Sequence, residues 1–481
     1  MKQNSIGIKE KIGYGFGDFA SSMFWKIFSV YLLYFYTDVV GIAAVAVGTM
    51  FLVTRIWDTA FDPLIGIIAD RTNTRWGKFR PYLLWVAVPF GLIGILTFTI
   101  PDFSSGGKLI YAYITYTLMM MIYSAINVPY ASLMGVMTSD IKDRTTLSTF
   151  RFIFAFAGSI LVLATAEPLV SVFSKSADGT TDLQRGWQSS MIIYAVLAAA
   201  LFYLTFLWTR ERIQPPREQK TSLKKDLADL AANKPWFVLL GAGICTLVFN
   251  SLRDGSAIYY FKYYFGSQQA FTLPVFDVAI NYSTLYLVLG QAANIVGVVL
   301  AKPVSDKLGK KATFLYAMLL AGVLSCIFYT FGESDVALIF SFQFLISVCA
   351  GSIFPLLWSM YADIADYSEY RTGRRATGLI FSSSSMAQKL GWTLGGALTG
   401  WLLALWGFEA NTVQTTEAQK GIRMMLSFIP AAGALLSAVF IVFYKLSDRF
   451  MMDVSHALEQ RRAGEQINNT AAIPADRGQA F

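Results

Sequence analysis

Apolar runs separated by short polar turns recur along the whole chain, with centres near Phe28, Trp57, Phe90, Met121, Ser159, Ala198, Val248, Leu289, Met318, Leu345, Leu390 and Leu436. Each has room for about 20 residues, the length a helix needs to cross a hydrocarbon core about 30 Å thick. The pattern predicts an all-α polytopic membrane protein of twelve transmembrane helices. The leader MKQNSIGIKEKIG is polar and basic, and no small-residue cleavage site follows the first apolar run, so that helix is expected to remain.

Lysine and arginine mark alternate turns. Lys2, Lys9 and Lys11 precede helix 1; Arg71, Arg75, Lys78 and Arg80 follow helix 2; Lys302, Lys307, Lys310 and Lys311 follow helix 8; Arg371, Arg374 and Arg375 follow helix 10. The turns after helices 1, 3 and 9 hold almost none beyond Lys108. Because cytoplasmic loops retain positive charge, both termini are expected in the cytoplasm.

The polar stretch from Arg210 to Lys234, with Pro215 and Pro216, splits the helices six and six. The expected units are a six-helix bundle over 1–209, a linker over 210–235, a second bundle over 236–446 and a cytoplasmic tail over 447–481. Within the linker, Leu223, Leu227 and Leu230 share one face of an expected interfacial helix over Ser222–Ala232. The tail begins as an amphipathic helix, and roughly its last fifteen residues are polar enough to be disordered.

The two halves repeat a loop. GIIADRTNTRWGKFR follows helix 2 and KPVSDKLGKK follows helix 8, placing Asp70-Arg71 and Asp306-Lys307 in corresponding positions. Such charges set topology, and they can also form ion pairs that break as a carrier changes state. Asp363, Asp366 and Glu369, beside Arg371, Arg374 and Arg375, read as a further gating group.

Helix 2 carries Asp58 and Asp62 at i and i+4, on one face. A charge at the bilayer centre costs roughly 2.5–3.5 kcal/mol on insertion scales, so such residues face a protein cavity. Two carboxylates so close need a cation between them, which suits sodium binding or proton exchange. A structural pair with Arg55, or with a lysine of another helix, is the alternative. On helix 4, Tyr123, Asn127 and Tyr130 form a stripe able to stack on and hydrogen-bond a sugar, or to serve plain packing. Lys26, Arg151, Arg253 and Lys389 are the intramembrane cations; Lys26 could also snorkel to the headgroups, and Arg253 could pair locally with Asp254. Asp18 is expected to cap helix 1. Trp25, Phe354 and Trp392 are the aromatic cavity candidates by helix position.

Composition agrees with this class: 55% of residues are hydrophobic and 15% charged, and mean hydropathy is +0.50. The net charge of +8 lies at membrane ends and forms no groove for nucleic acid. Cys245, Cys326 and Cys349 fall in apolar segments as packing residues, and the one histidine, His456, is in the tail. No nucleophile motif, phosphate loop or metal cluster points to an enzyme or a cofactor.

The repeated loop and the six-plus-six division resemble the major facilitator superfamily. YGFGDF at Tyr14, YFYTDVVGI at Tyr34, RIWDTAFDP at Arg55, RWGKFRPYL at Arg75, NVPYASL at Asn127 and ADIADYSEYRTGRRATG at Ala362 together resemble the glycoside-pentoside-hexuronide:cation symporter family. The resemblance covers essentially the whole chain. It implies secondary active sugar uptake by a monomer in the bilayer, driven by Na+ or H+, with Asp58 and Asp62 as the cation site and a hydroxyl from Ser124. It assigns Arg151 to the sugar site, Lys389 to charge compensation between the two sites, and Phe354 to a sugar-adjacent aromatic position. The chain also departs from the melibiose-carrying branch. Phe61 replaces an asparagine, removing one oxygen ligand, and Ser22 and Asn127 replace two sugar-binding aspartates. With both acids gone, Lys26 and Arg151 facing the cavity would favour a carboxylated sugar such as a hexuronide; a neutral glycoside or pentoside is the main expectation. Transport of an amphiphile such as a lysolipid, and a non-transporting sensor, are the rivals.

Overall fold

The computed structural model describes residues 6–138, 141–175, 180–212, 232–266, 269–273, 278–372, 377–454, 456–458 and 460. The expected linker helix, Arg374, Arg375 and the end of the tail lie outside the described residues, as does the side chain of Asp70.

Helices occupy all twelve expected places. In chain order they are α1 (Ile8–Tyr34), α2 (Ala44–Arg71), α3 (Arg80–Trp85), α4 (Ala87–Thr97), α5 (Ser105–Met137), α6 (Ile141–Ser174), α7 (Leu183–Trp208), α8 (Lys234–Tyr259), α9 (Tyr282–Leu308), α10 (Lys310–Phe328), α11 (Val336–Thr372), α12 (Thr377–Leu405), α13 (Thr416–Leu426) and α14 (Phe428–Val442). The third and twelfth places are each filled by two pieces, broken at Val86 and Ser427. Among the described residues, eight helical stretches are long and apolar enough to cross a membrane by length and composition.

The packing order repeats between the halves. In the first, α1 packs on α6, α2 on α5, and α4 on α7; in the second, α8 packs on α12, α9 on α11, and α10 on α14. Glycines allow the closest of these contacts, as small residues do wherever membrane helices approach backbone to backbone. A Cβ at Gly158 would lie 2.4 Å from the carbonyl of Phe19, and one at Gly297 would lie 2.1 Å from that of Val348. The halves meet chiefly through α2 against α12, α6 against α9, and α1 against α8.

The repeated loop is a clamp inside each half. After α2 the chain turns at Gly77 (φ 109°), and the Glu211 carboxylate, just beyond α7, accepts from the backbone N–H groups of Lys78, Phe79 and Arg80 at 2.9, 2.8 and 2.9 Å. After α9 it turns at Gly309 (φ 86°), and Asp448, beyond α14, accepts from the N–H of Lys310 at 3.0 Å. In both cases an acid meets the open donors and positive dipole end of a helix N-terminus. The basic residues complete the clamp from the other side: Arg80 donates to the carbonyl of Phe206 at 2.6 Å, and Lys311 to those of Val442 and Tyr444 at 2.9 and 2.6 Å. The loop thus ties the third helix of each half to the sixth.

At the opposite face α1 and α8 each end in a π-helical turn, Phe35–Val39 and Tyr260–Tyr264. A short antiparallel hairpin follows the second, pairing Gln269–Leu273 with Val278–Asn281. The apolar pattern gave no hint of this hairpin, because its strands are too short to announce themselves by alternation.

Replacing Gly297 by leucine is expected to push α9 off α11 and destabilise the second half by about 1–3 kcal/mol, the usual range for overpacking. A lower thermal midpoint of the purified protein in detergent is the readout; an unchanged midpoint would contradict the close packing.

Candidate functional site

Helices α2 and α12 run antiparallel across the boundary between the halves. Near the face opposite the termini they touch at Gly48 and Gly400, where a Cβ on Gly400 would lie 2.5 Å from the carbonyl of Ala44. One turn further in, Phe51 faces Gly396. The same register carried about two turns deeper brings Lys389 of α12 onto Asp58 and Asp62 of α2.

There the Lys389 ammonium donates to Asp62 Oδ2 and stands 3.5 Å from Asp58 Oδ2. Asp58 is 1% exposed and fully engaged: Arg55 Nη1 donates to Oδ2 at 3.0 Å, and Ser124 Oγ donates to Oδ1 at 2.8 Å. The Arg55 guanidinium also lies over the Trp25 ring, 4.6 Å from its centroid. Asp62 differs, because its Oδ1 is buried without a hydrogen-bond partner. Two carboxylates and two cations balance in charge, and one oxygen remains open. Of the two readings of the carboxylate pair, the geometry shows the ion pairs, with Arg55 of the same helix and with a lysine of another.

Beside this cluster Trp25 packs on Tyr123 (centroids 5.7 Å apart) and edge-on against Trp392 (6.5 Å). The Lys26 ammonium sits 5.7 Å from the Trp392 centroid and pairs across the halves with Asp254 at 2.6 Å. Arg151 pairs with Asp18 from α1 and lies 5.2 Å from the Tyr130 ring centroid. Asn127 accepts from Ser21 Oγ at 2.7 Å and donates to the carbonyl of Tyr123 at 3.0 Å. Ser22 and Phe354 are half-buried.

Several expectations change. Asp18 does not cap α1: it lies well inside the helix, where an acid has no open donors to meet, and it serves Arg151 instead. Lys26 is 7% exposed and does not snorkel, since Asp254 supplies a counter-charge at depth. Arg253 does not pair with Asp254. It is buried within the second half, donating to the carbonyl of Leu426 (2.6 Å), Tyr286 Oη (2.5 Å) and Gln343 Oε1 (2.7 Å). Tyr130 leaves the helix 4 stripe for packing, stacked on Tyr14 at 4.8 Å with its hydroxyl on the Tyr14 carbonyl at 2.6 Å. The electropositive pocket inferred from Lys26 and Arg151 is neutralised, because each cation faces an acid.

Of the expected gating residues, Asp306 and Asp363 pair within their own half. Asp306 pairs with Lys302 of the same helix at 2.9 Å and is exposed, as are Lys307 and Arg71. Asp363 pairs with Lys310 at 2.6 Å, and Asp366 is half-buried. Beyond the Lys389 and Lys26 pairs, further contacts that join the halves lie at the other face. Asp38, in the π turn ending α1, accepts from Lys262 at 2.7 Å and from Tyr263, and its carbonyl accepts from Asn411 at 2.6 Å. Glu167 of α6 accepts from Asn281 at 2.6 Å and Ser283 at 2.9 Å. Sequence reading missed Asp38, Glu167 and Lys262. Asp38 and Glu167 are acids flanked by apolar residues, which is a signal, but their partners lie more than 100 positions away.

Residues 13–448 match the family model described as MFS/sugar transport protein. An inner membrane symporter, YicJ, of Escherichia coli (strain K12) is 36% identical over 98% of this chain and 99% of its own length. The isoprimeverose transporter of Lactiplantibacillus pentosus is 35% identical over 97% and 94%. Among solved structures, a mutant of the nucleoside transporter NupG superposes with a TM-score of 0.64 at 13% identity, covering 91% of this chain and 100% of that one, a likeness of fold alone. With a family model spanning nearly its whole length, full-length symporter relatives and the twelve-place, two-half helical plan, this chain belongs to the glycoside-pentoside-hexuronide:cation symporter family of the major facilitator superfamily.

Proposed function

We propose that this multi-pass membrane protein, a cation-coupled sugar symporter and not an enzyme, imports a neutral glycoside or pentoside with Na+ or H+ through the cluster of Asp58, Asp62 and Lys389. The carrying observation is that Lys389, from one half, holds both carboxylates of the other. The cluster is balanced in charge, so a cation taken up by Asp62 must weaken the hold of Lys389 or leave uncompensated positive charge in a low-dielectric site. Released, Lys389 no longer ties α12 to α2. This difference between states is what coupling requires, and it is reciprocal: sugar tightens cation binding by the same factor. Asp58, Asp62 and Ser124 supply the oxygens, with the unpartnered Asp62 Oδ1 as the first ligand or proton acceptor.

The sugar lies between Trp25, Tyr123 and Trp392, with Ser22, Asn127, Arg151 and Phe354 contributing from the surrounding helices. The paired charges Lys26–Asp254 and Arg151–Asp18 offer donors and acceptors together, which suits neutral hydroxyls better than a lone carboxylate. Asp254 and Asp18 thereby take over as acceptors where Ser22 and Asn127 lack a carboxylate. The face bearing the termini is cytoplasmic, twelve spans cross the membrane, and the monomer is the working unit. The structure then represents the carrier closed to the outside, through the Asp38 and Glu167 contacts. Asp70, Arg71, Asp306, Lys307, Asp363 and Asp366 change partners when the cytoplasmic side shuts.

Asp62→Asn is expected to abolish accumulation, bringing the internal to external sugar ratio to about one, while sugar–sugar counterflow persists because the sugar site is intact. Uptake into vesicles under separately imposed Na+ and H+ gradients identifies the ion; accumulation surviving in the variant would overturn the coupling role. Lys26→Ala is expected to weaken uptake of a glucuronide and of a neutral xyloside by roughly the same factor. A selective loss of the glucuronide would instead restore the hexuronide reading.

A further inference from the structure

A second cavity, of ≈ 310 Å³, lies between the halves near the face opposite the termini, away from Asp58 and Asp62. Tyr31, Glu167, Ser171 and Trp187 line it from the first half, Asn281 and Ser283 from the second. Its size falls at the small end of the roughly 300–1,000 Å³ typical of ligand pockets, too large for a single ion. Glu167 accepts from Asn281 and Ser283, and the hydroxyls of Tyr31 and Thr284 also face it. The Tyr31 hydroxyl is buried, lines the same space and makes no well-formed hydrogen bond where it lies beside Glu167. Buried hydroxyls are rarely left so, and a better-placed group between the two would complete the bonding of both.

We infer that this cavity is a second sugar site, which binds a single pyranose or furanose ring from the outside while the carrier is closed there. A ring hydroxyl placed between them accepts from Tyr31 and donates to Glu167, and the apolar edge of the ring lies against the aromatic side of the cavity. The inference rests on the transport reading for its ligand class but not on the central site. Because the walls come from both halves, the site exists only while they are together at this face. Bound sugar therefore holds the outer side shut, and high external sugar slows its own uptake.

The test uses the full chain with Cys245, Cys326 and Cys349 replaced by serine and Ser171→Cys introduced, in membranes reacted with methyl methanethiosulfonate. Thr181→Cys, at the exposed rim, gives the same readout should Ser171→Cys fail to reach the membrane. D-xylose and D-glucose are expected to slow labelling, and to do so equally in an Arg151→Gln background whose central site is disabled. Tyr31→Phe removes a hydroxyl that makes no well-formed hydrogen bond in the empty protein. It is expected to raise the half-protecting sugar concentration about fivefold, the scale of one hydrogen bond, with uptake at low sugar unchanged. No protection in a chain that still transports sugar overturns the second site alone. Protection that disappears with Arg151→Gln, or that ignores Tyr31→Phe, assigns the effect to the central site and also overturns it. A parent that takes up no sugar fails the transport reading instead.

Discussion

The approach of α2 to α12 is the constraint on which the rest depends. Gly48 and Gly400 let two backbones come together at one end, and the antiparallel register carried inward sets Lys389 against Asp58 and Asp62. Without that proximity Asp58, 1% exposed, would keep Arg55 but lose a second counter-charge, and Asp62 would lose the cation it pairs with. Removing one partner of a buried pair typically costs about 3–5 kcal/mol, so the contact both stabilises this state and defines what must change to leave it. A carrier needs such an element: strong enough to specify one arrangement, and open to competition by its own cargo.

Rigid halves are the other requirement, and the chain builds them the same way twice. Gly77 with Glu211 and Gly309 with Asp448 place a carboxylate on the start of a third helix, while Arg80 and Lys311 close on the end of a sixth. These clamps sit within each half, so they need not break when the halves rock. At the face opposite the termini the contacts between halves are of another kind, polar side-chain pairs around Asp38 and Glu167. Motion is expected where bonds cross the boundary, and stiffness where they do not.

Much of this was legible before any coordinates. Helix places, the repeated loop, the carboxylate pair and the family motifs are local properties of the chain, set by runs of about 20 apolar residues and by i,i+4 spacing. The carboxylate cluster was legible too, since Asp58, Asp62, Ser124 and Lys389 meet as the motifs implied. The errors have a common cause. Asp18 and Arg253 were read against their own helix and its next residue, whereas their partners include Arg151 and Gln343, each 90 or more positions distant.

The sequence by itself determined that this is a two-half membrane carrier with a pair of acids in its interior, because hydrophobic length, helical spacing and loop charge are written in consecutive residues. Only the tertiary structure decided which charge answers which. Pairing between helices depends on their crossing and register, and these are set by glycine contacts such as Gly48 with Gly400 that have no local signature. That is why a pocket that looked electropositive residue by residue is neutral once folded, and why the acids that join the halves at the face opposite the termini came to light only with their partners.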